Sequence, residues 1–324
     1  MKYRTLGKTA VKVSEIGHGT WAIGSMWGPR DDDTARAALK RGFELGINFI
    51  DTAFAYGRGH AERLIGEVIQ ECEVRPFVAT KVPPDIRSWP PKAGTRAEAA
   101  FPGKYLTEIT ETSLKNLGVD CLDLQQLHVW RPEWLQQGDW REAVVRLKEQ
   151  GKVRYFGVSL NDHDPDSGLE LVASGIVDTV QVIFNLFDQT PRERLFPLCE
   201  ERGVGVIARV PLDEGGLSDT LTAGMNFPKG DWRRHYFTGD RLEQTLQHAE
   251  QFRYLVKDGI DSLPGAALKF CLSESAVSTV IPGMRKVKHV EANVRVSEVG
   301  DFSAEDLSRA HQLAWPRNFY PSFG

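Results

Sequence analysis

Short apolar segments alternate with amphipathic segments about eight times along this chain, and that alternation restricts the fold more than any other feature. Segments 49–50, 77–80, 122–127, 153–158, 179–184, 204–208 and 279–281 read as strands, as does a Gly-rich strand end at Ile16-Gly17-His18-Gly19. Segments 60–72, 103–117, 140–149, 167–173, 192–202, 242–256, 264–272 and 287–295 carry apolar residues at helical spacing. Asp31-Asp32-Asp33 supplies an N-cap and favourable charge for an earlier helix, which Gly46 stops. A small hairpin around Gly7-Lys8-Thr9 precedes the cycle, and one more helix at 304–313 follows it. Such alternation predicts parallel βαβ units. A doubly wound sheet competes, but it usually carries a glycine fingerprint after its first strand, and no G-x-G-x-x-G occurs here. The expected fold class is α/β: a (β/α)8 TIM barrel with an N-terminal β-hairpin. Residues 1–324 are expected to form one barrel domain, with loops 82–102 and 211–240 and the tail 314–324 around its mouth.

A barrel gives the strand ends a meaning, because its active site forms where strands run into the following loops. Asp51, Lys81, His128, Ser159 and Arg209 each follow a short apolar run, and Tyr56 lies just past the first of them. An unperturbed tyrosine, with a pKa near ~10, is a poor proton donor at neutral pH. A nearby ammonium lowers that value, and a carboxylate keeps the ammonium charged and oriented. A histidine can hydrogen-bond the oxygen of a bound carbonyl. Together the four suit protonation of a carbonyl oxygen as hydride reaches its carbon. Taken singly, each has a plainer role: Asp51 as a loop cap, Tyr56 as a half-buried aromatic, His128 as a structural residue. Lys81 is harder to explain that way, since lysine is rarely buried unpaired.

Composition narrows the partners. A net charge of -4 argues against nucleic acid or an anionic membrane as the main partner. Cys72, Cys121, Cys199 and Cys271 are far apart, with no CxxC or Cys/His pair, so neither a disulfide framework nor a metal site is expected. The start lacks the apolar core of a signal peptide, and no run approaches the ~18 apolar residues of a membrane span. A cytoplasmic protein, monomeric or a small homo-oligomer, is the expectation.

The chain resembles the aldo-keto reductase family over nearly its whole length. The resemblance rests on Gly17-x-Gly19-Thr20-Trp21, Asp51-Thr52-Ala53-x-x-Tyr56-Gly57, Ala79-Thr80-Lys81 and Leu127-His128. It continues through Gly151-Lys152-Val153-Arg154-x-x-Gly157-Val158-Ser159, Gln181-x-x-Phe184-Asn185 and Ile281-Pro282-Gly283. It implies a (β/α)8 barrel and reversible reduction of an aldehyde or ketone to an alcohol. The hydride would come from a nicotinamide dinucleotide, with no metal. It casts Tyr56 as general acid, Lys81 as the group that lowers its pKa, Asp51 as the partner of Lys81, and His128 as the residue orienting the carbonyl.

The resemblance also implies a cofactor site. Thr20, Trp21 and Asp51 belong to its matched motifs, while Ser159 and Gln181 would hold the nicotinamide carboxamide. Leu160 stands where the family often has Asn, which leaves either Asn161 or the Gln181 side chain to serve; the segment at Asn161 also reads as a turn before a helix cap. Arg209 occupies a position that often carries an aromatic stacked on the nicotinamide. Its guanidinium can stack as well, or form a salt bridge at the mouth. Pro211, Leu212, Gly215 and Gly216 would lie over the pyrophosphate. In the last segment Ile281, Gly283, Met284, Arg285, His289 and Asn293 are the contacts implied. Three basic residues at a helix start oppose the usual dipole preference, and a bound phosphate explains them, as does a basic surface patch. Arg285 is the preferred ligand of a 2′-phosphate, so NADP(H) is expected over NAD(H).

Trp21, Phe54 and Trp89 are candidates to wall the substrate pocket, joined by Trp315-Pro316-Arg317-Asn318-Phe319-Tyr320, with His163, Trp27 and Arg131 as lesser suggestions. The partner is then a small carbonyl or alcohol. A cofactor-bound regulatory or redox-sensing subunit is the alternative. A Schiff-base enzyme built on Lys81 is a third reading, which leaves Ser159, Gln181 and Arg285 unexplained.

Overall fold

The computed structural model describes residues 1–24, 30–86 and 88–320. Trp27, Arg87 of the loop 82–102, and residues 321–324 of the tail lie outside them. Two strands, β1 (Tyr3–Thr5) and β2 (Lys12–Ser14), pair antiparallel as the expected hairpin. Eight strands follow among the described residues: β3 (His18–Gly19), β4 (Phe49–Asp51), β5 (Phe77–Val82), β6 (Leu122–Leu127), β7 (Val153–Ser159), β8 (Thr179–Ile183), β9 (Gly205–Arg209) and β10 (Val277–Val280). They lie side by side in chain order, and all their pairings are parallel. The first and last meet: Gly17 N donates to Val280 O at 2.8 Å, and Gly19 N to Pro282 O at 3.0 Å. This closes the (β/α)8 barrel.

Among the described residues, twelve helices alternate with the strands or interrupt the long loops: α1 (Asp32–Glu44), α2 (His60–Cys72), α3 (Ala97–Ala100), α4 (Gly103–Leu117), α5 (Trp140–Glu149), α6 (Leu169–Ala173), α7 (Leu195–Arg202), α8 (Arg233–Tyr236), α9 (Arg241–Glu250), α10 (Leu263–Leu272), α11 (Val287–Arg295) and α12 (Ala304–Gln312). α1 starts where expected, with the Asp31 carboxylate accepting from Thr34 N at 3.0 Å. Four sequence readings need adjustment. The helix expected over 167–173 is a 3-10 turn, Pro165–Gly168, followed by α6. The helix expected over 242–256 is α9 followed by a separate 3-10 turn, Arg253–Leu255. The one expected over 192–202 begins later, at Leu195, after a 3-10 turn at Thr190–Arg192. The loops 82–102 and 211–240 contain the short helices α3 and α8. In each case local propensity does not resolve where a turn tightens.

The interior of the barrel is apolar at its base and polar at its mouth. Phe49 and Phe77 are register partners whose rings stack 5.6 Å apart, and Ala79, Leu124 and Ile207 join their cluster. Leu6 and Val13 of the hairpin complete it with no exposed surface, so the hairpin plugs the base. Gly7 permits this closeness. It has φ +50°, and a methyl group there would meet Gly205 N at 2.3 Å. The other side of the sheet packs on the helices through a larger core rich in Val, Leu and Phe and in the tryptophans Trp130, Trp134 and Trp140. No helix among the described residues is long and apolar enough to cross a membrane.

Candidate active site

The polar side chains enter from the C-terminal ends of the strands. The Thr20 amide and hydroxyl both donate to the Asp51 carbonyl, at 3.1 and 2.8 Å, and fix the end of β4. Beyond it the chain stays tied to β5, with Thr52 N on Ala79 O at 2.8 Å and Phe54 N on Lys81 O at 3.2 Å. That path carries Tyr56 over Lys81. β5 runs on to Val82 rather than stopping at Thr80, so Lys81 points inward from the sheet itself. His128 is placed by its own amide, which donates to Val82 O at 3.0 Å.

These four residues meet. The Lys81 ammonium donates to both Asp51 carboxylate oxygens at 2.8 and 2.7 Å and to the Thr52 carbonyl at 2.9 Å. It reaches the Tyr56 hydroxyl at 3.4 Å. Its side chain has 0% exposure, and that of Asp51 has 4%. Gln181 Nε2 donates to Asp51 Oδ1 at 2.7 Å. The His128 ring lies 5.8 Å from the Tyr56 ring and is met edge-on by Trp89 at 4.8 Å. His128 Nδ1 is buried, with no hydrogen-bond partner among the described residues.

Burial dominates the electrostatics. It lowers the Lys81 pKa, an effect that the Asp51 charge opposes. It drives His128 well below its ordinary value, helped by the Lys81 and Arg209 cations, so the imidazole is neutral. It also lifts the Tyr56 phenol well above its usual value, with the Asp51 charge adding to the rise and Arg209 opposing it. Lys81 stands 3.4 Å from the phenol oxygen, yet the phenol is raised overall. With Asp51 at 2.7 Å, the ammonium presents little net charge to the hydroxyl, and desolvation of the phenolate prevails.

The residues expected at a cofactor stand on or just after β3, β4, β7, β8, β9 and β10. Ser159 and Gln181 are register partners on β7 and β8. Asn161 is committed elsewhere: its Nδ2 donates to Trp130 O at 2.6 Å and its Oδ1 accepts from Trp130 N at 3.3 Å, which favours the turn reading. Arg209 makes the salt bridge, with Asp162 at 2.7 Å, and donates to Leu160 O at 3.0 Å. Pro211 is buried, and Leu212 packs against the main core. The space beside Gly216 belongs to the protein, since a methyl group there would meet Thr245 at 2.5 Å and Asp213 at 2.6 Å. Gly215 adopts φ +97°. Ile281 is 7% exposed inside the barrel cluster. The Met284 side chain is wholly buried in the core, which leaves only its backbone for a ligand. Gly283 has open space where a side chain would stand. Arg285 and His289 are half-buried, α11 has no side-chain cap and no acid in its first turn, and Asn293 sits on its buried face.

Trp21, Phe54 and Trp89 are half-buried around the mouth. Arg131 instead ties the loop 82–102, donating to Pro91 O at 3.1 Å. Two residues not singled out from the sequence also sit here. Trp232 lies 6.4 Å from Trp21, ring to ring, and 6.1 Å from Tyr320. Glu214 accepts from the Tyr320 hydroxyl at 2.6 Å, and burial pushes its acid up to about 7. A carboxylate between Pro211 and Gly215, just after Arg209, was a legible signal for Glu214. Trp232, far along a loop, left none. Among the described residues no group of three His, Cys, Asp or Glu side chains is arranged to hold a metal ion.

Chemically, the site offers a protonated phenol and a neutral imidazole, both beside a desolvated ammonium-carboxylate pair. Comparison with known proteins identifies the family. The family described as Aldo/keto reductase family matches residues 15–314. An aldo-keto reductase of Bacillus subtilis, YhdN, is 30% identical over 90% of this chain and 87% of its own length. An NADH-specific methylglyoxal reductase of Escherichia coli is 26% identical over 97% of this chain and 98% of its own. Among solved structures, the holo form of an aldo-keto reductase from Bacillus halodurans superposes with TM-score 0.76 at 28% identity, covering 97% of this chain and 96% of that one. On fold, site and sequence together, the chain belongs to the aldo/keto reductase family of oxidoreductases.

Proposed function

We propose that this protein reduces an aldehyde or ketone with NADPH, using Tyr56 as general acid. The observation that carries the proposal is the wholly buried Lys81, held by Asp51 at 2.7 and 2.8 Å and placed 3.4 Å from the Tyr56 hydroxyl. A phenol kept above its ordinary pKa stays protonated at neutral pH. It releases its proton only as negative charge develops on the substrate oxygen. The neutral His128 carries one ring N–H, which can hold the same oxygen. Lys81 and Asp51 position Tyr56 and stand ready to stabilise its phenolate once the proton has left.

The residues present fit a nicotinamide dinucleotide. When bound, it supplies the hydride. Ser159 and the free amide oxygen of Gln181 would hold the carboxamide, with Trp21 and Arg209 nearby; Asn161 would contribute less, since its amide already serves Trp130. The backbone at Gly215 and at 281–284 would approach the phosphates. Arg285 makes no ion pair within 4.0 Å among the described residues and precedes the uncapped start of α11, which suits a 2′-phosphate. The NADH-specific relative makes this preference a point to test rather than to inherit.

Purified protein should oxidise NADPH with 4-nitrobenzaldehyde, and Tyr56→Phe should lower the rate by about 10²–10⁴-fold while NADPH still quenches the protein's fluorescence. Tight NADPH binding with no Tyr56-dependent turnover across a panel of carbonyls would leave the regulatory subunit standing instead. An equal or stronger fluorescence response to NADH would remove Arg285 from the phosphate.

A further inference from the structure

Above the four residues of the proposed proton-transfer site lies a second polar cluster with no part in the chemistry so far described. His163 is its centre. Its Nδ1 is bound to Asp188 Oδ2 at 2.5 Å, and Asp188 is fixed in turn by the amide and hydroxyl of Thr190 at 3.0 and 2.6 Å. The His163 side chain is 9% exposed, yet its Nε2 is buried with no hydrogen-bond partner among the described residues. The Tyr320 ring lies 5.8 Å from it, and the Tyr320 hydroxyl donates to Glu214 Oε1, whose other oxygen has no partner among the described residues. Arg209 links this cluster to the site beneath. Its charge acts on Glu214 and Tyr320 above and on Tyr56, Lys81 and His128 below, and its Nε is also buried without a partner.

Buried polar atoms without partners are costly, and each such atom in a native protein calls for an explanation. A loop turn needs no imidazole locked by a buried carboxylate. Packing against hydrocarbon alone does not account for a buried imidazole nitrogen and a buried guanidinium Nε beside the unpaired Glu214 oxygen. All three can bond a hydroxyl group, which both donates and accepts.

We infer that His163, Tyr320 and Glu214 form a specificity wall that selects carbonyl substrates bearing a hydroxyl group close to the carbonyl. This rests on the carbonyl-reductase reading. A hydroxyl on the carbon next to the carbonyl would satisfy His163 Nε2 or Glu214 while Tyr56 and His128 hold the carbonyl oxygen. An aldehyde lacking it would leave His163 Nε2 buried and unpaired, and sites built to bond a hydroxyl discriminate strongly against such analogues.

The test compares kcat/KM for glyceraldehyde and for propanal, which differ by two hydroxyl groups, in the wild type, Tyr320→Phe and His163→Leu. Glyceraldehyde should be favoured by at least about tenfold in the wild type, and the ratio should fall several-fold in each variant. A merely structural role would lower both substrates in parallel and leave the ratio unmoved. His163→Leu strands the Asp188 charge and can fail to fold; Tyr320→Phe removes one oxygen and keeps the packing, so it decides the matter alone. A wild-type ratio near one, or a ratio unchanged in Tyr320→Phe, overturns the inference while leaving the reductase reading intact. Absence of turnover with propanal, glyceraldehyde and 4-nitrobenzaldehyde alike overturns the reductase reading and this wall with it.

Discussion

Lys81 is a cation held out of water, and its position follows from one partner. Removing that cation would leave the Asp51 carboxylate buried, with the Gln181 amide as its remaining hydrogen-bond donor among the described residues. Broken buried pairs of this kind cost about 3–5 kcal/mol. Lys81→Met is therefore expected to lower unfolding free energy by that order in urea titrations; a loss under about 1 kcal/mol would mean that Asp51 takes up a proton or finds water instead. Glu214 sets a different test. Its folded pKa of about 7 lies above its ordinary 4.5, so between those values the folded chain keeps a proton that the unfolded chain has released. Stability then falls as pH rises through that window, by about 3 kcal/mol at most. Glu214→Gln should lose less stability than the wild type between about pH 5 and about pH 8. Equal losses would show that the acid is not perturbed. Asp51, Tyr56, Lys81 and His128 were legible as candidates because each ionisable residue stands at or just past an apolar strand. The sign of the Tyr56 shift was not, because it depends on how closely Asp51 screens Lys81.

At the scale of elements, the helices around the barrel stand as close as their small residues permit. α2 and α4 approach through Gly66, where an added methyl group would lie 2.6 Å from the Leu117 carbonyl oxygen and 2.8 Å from its carbon. Those atoms are backbone and cannot swing aside. Gly66→Ala raises intrinsic helix propensity, yet it should destabilise by about 1–3 kcal/mol, because overpacking outweighs propensity at a backbone contact. A gain in thermal midpoint would contradict the packing described here. The helices α2, α4, α5 and α11 begin and end where the sequence pattern places them. The elements that shifted, α6, α7 and α9, adjoin 3-10 turns whose tightening is set by their neighbours.

At the scale of the molecule, the C-terminal tail binds the loop after β9 across the mouth. Arg317 donates to both Asp213 oxygens at 2.9 and 2.6 Å, and their side chains are 8% and 1% exposed. Tyr320 holds Glu214 in the same loop. That loop has left-handed backbone at Val210, Asp213 and Glu214, with φ of 53°, 48° and 52°. Such conformations are unfavourable for non-glycine residues, most of all for the β-branched Val210, and persist only where surrounding contacts impose them. The tail supplies two of those contacts. Arg317→Met should cost about 3–5 kcal/mol and expose the loop to proteolysis, which limited trypsin digestion would reveal. Resistance equal to the wild type would show that the loop holds its shape unaided.

The sequence by itself determined the barrel, because strand and helix periods are local properties written in the order of apolar residues, and eight parallel units of this length have few ways to bury them. It also determined which ionisable groups reach the mouth, since a strand end in a barrel is a position in space. Tertiary structure alone decided what those groups are to one another. The neutral His128, the raised Tyr56 and the Asn161 amide spent on Trp130 arise from burial and distances between residues far apart in the chain. So does the cluster of His163, Glu214 and Tyr320, whose members come from two separate loops and the C-terminal tail. Desolvation and Coulomb energy depend on what surrounds a charge, and only folding supplies the surroundings.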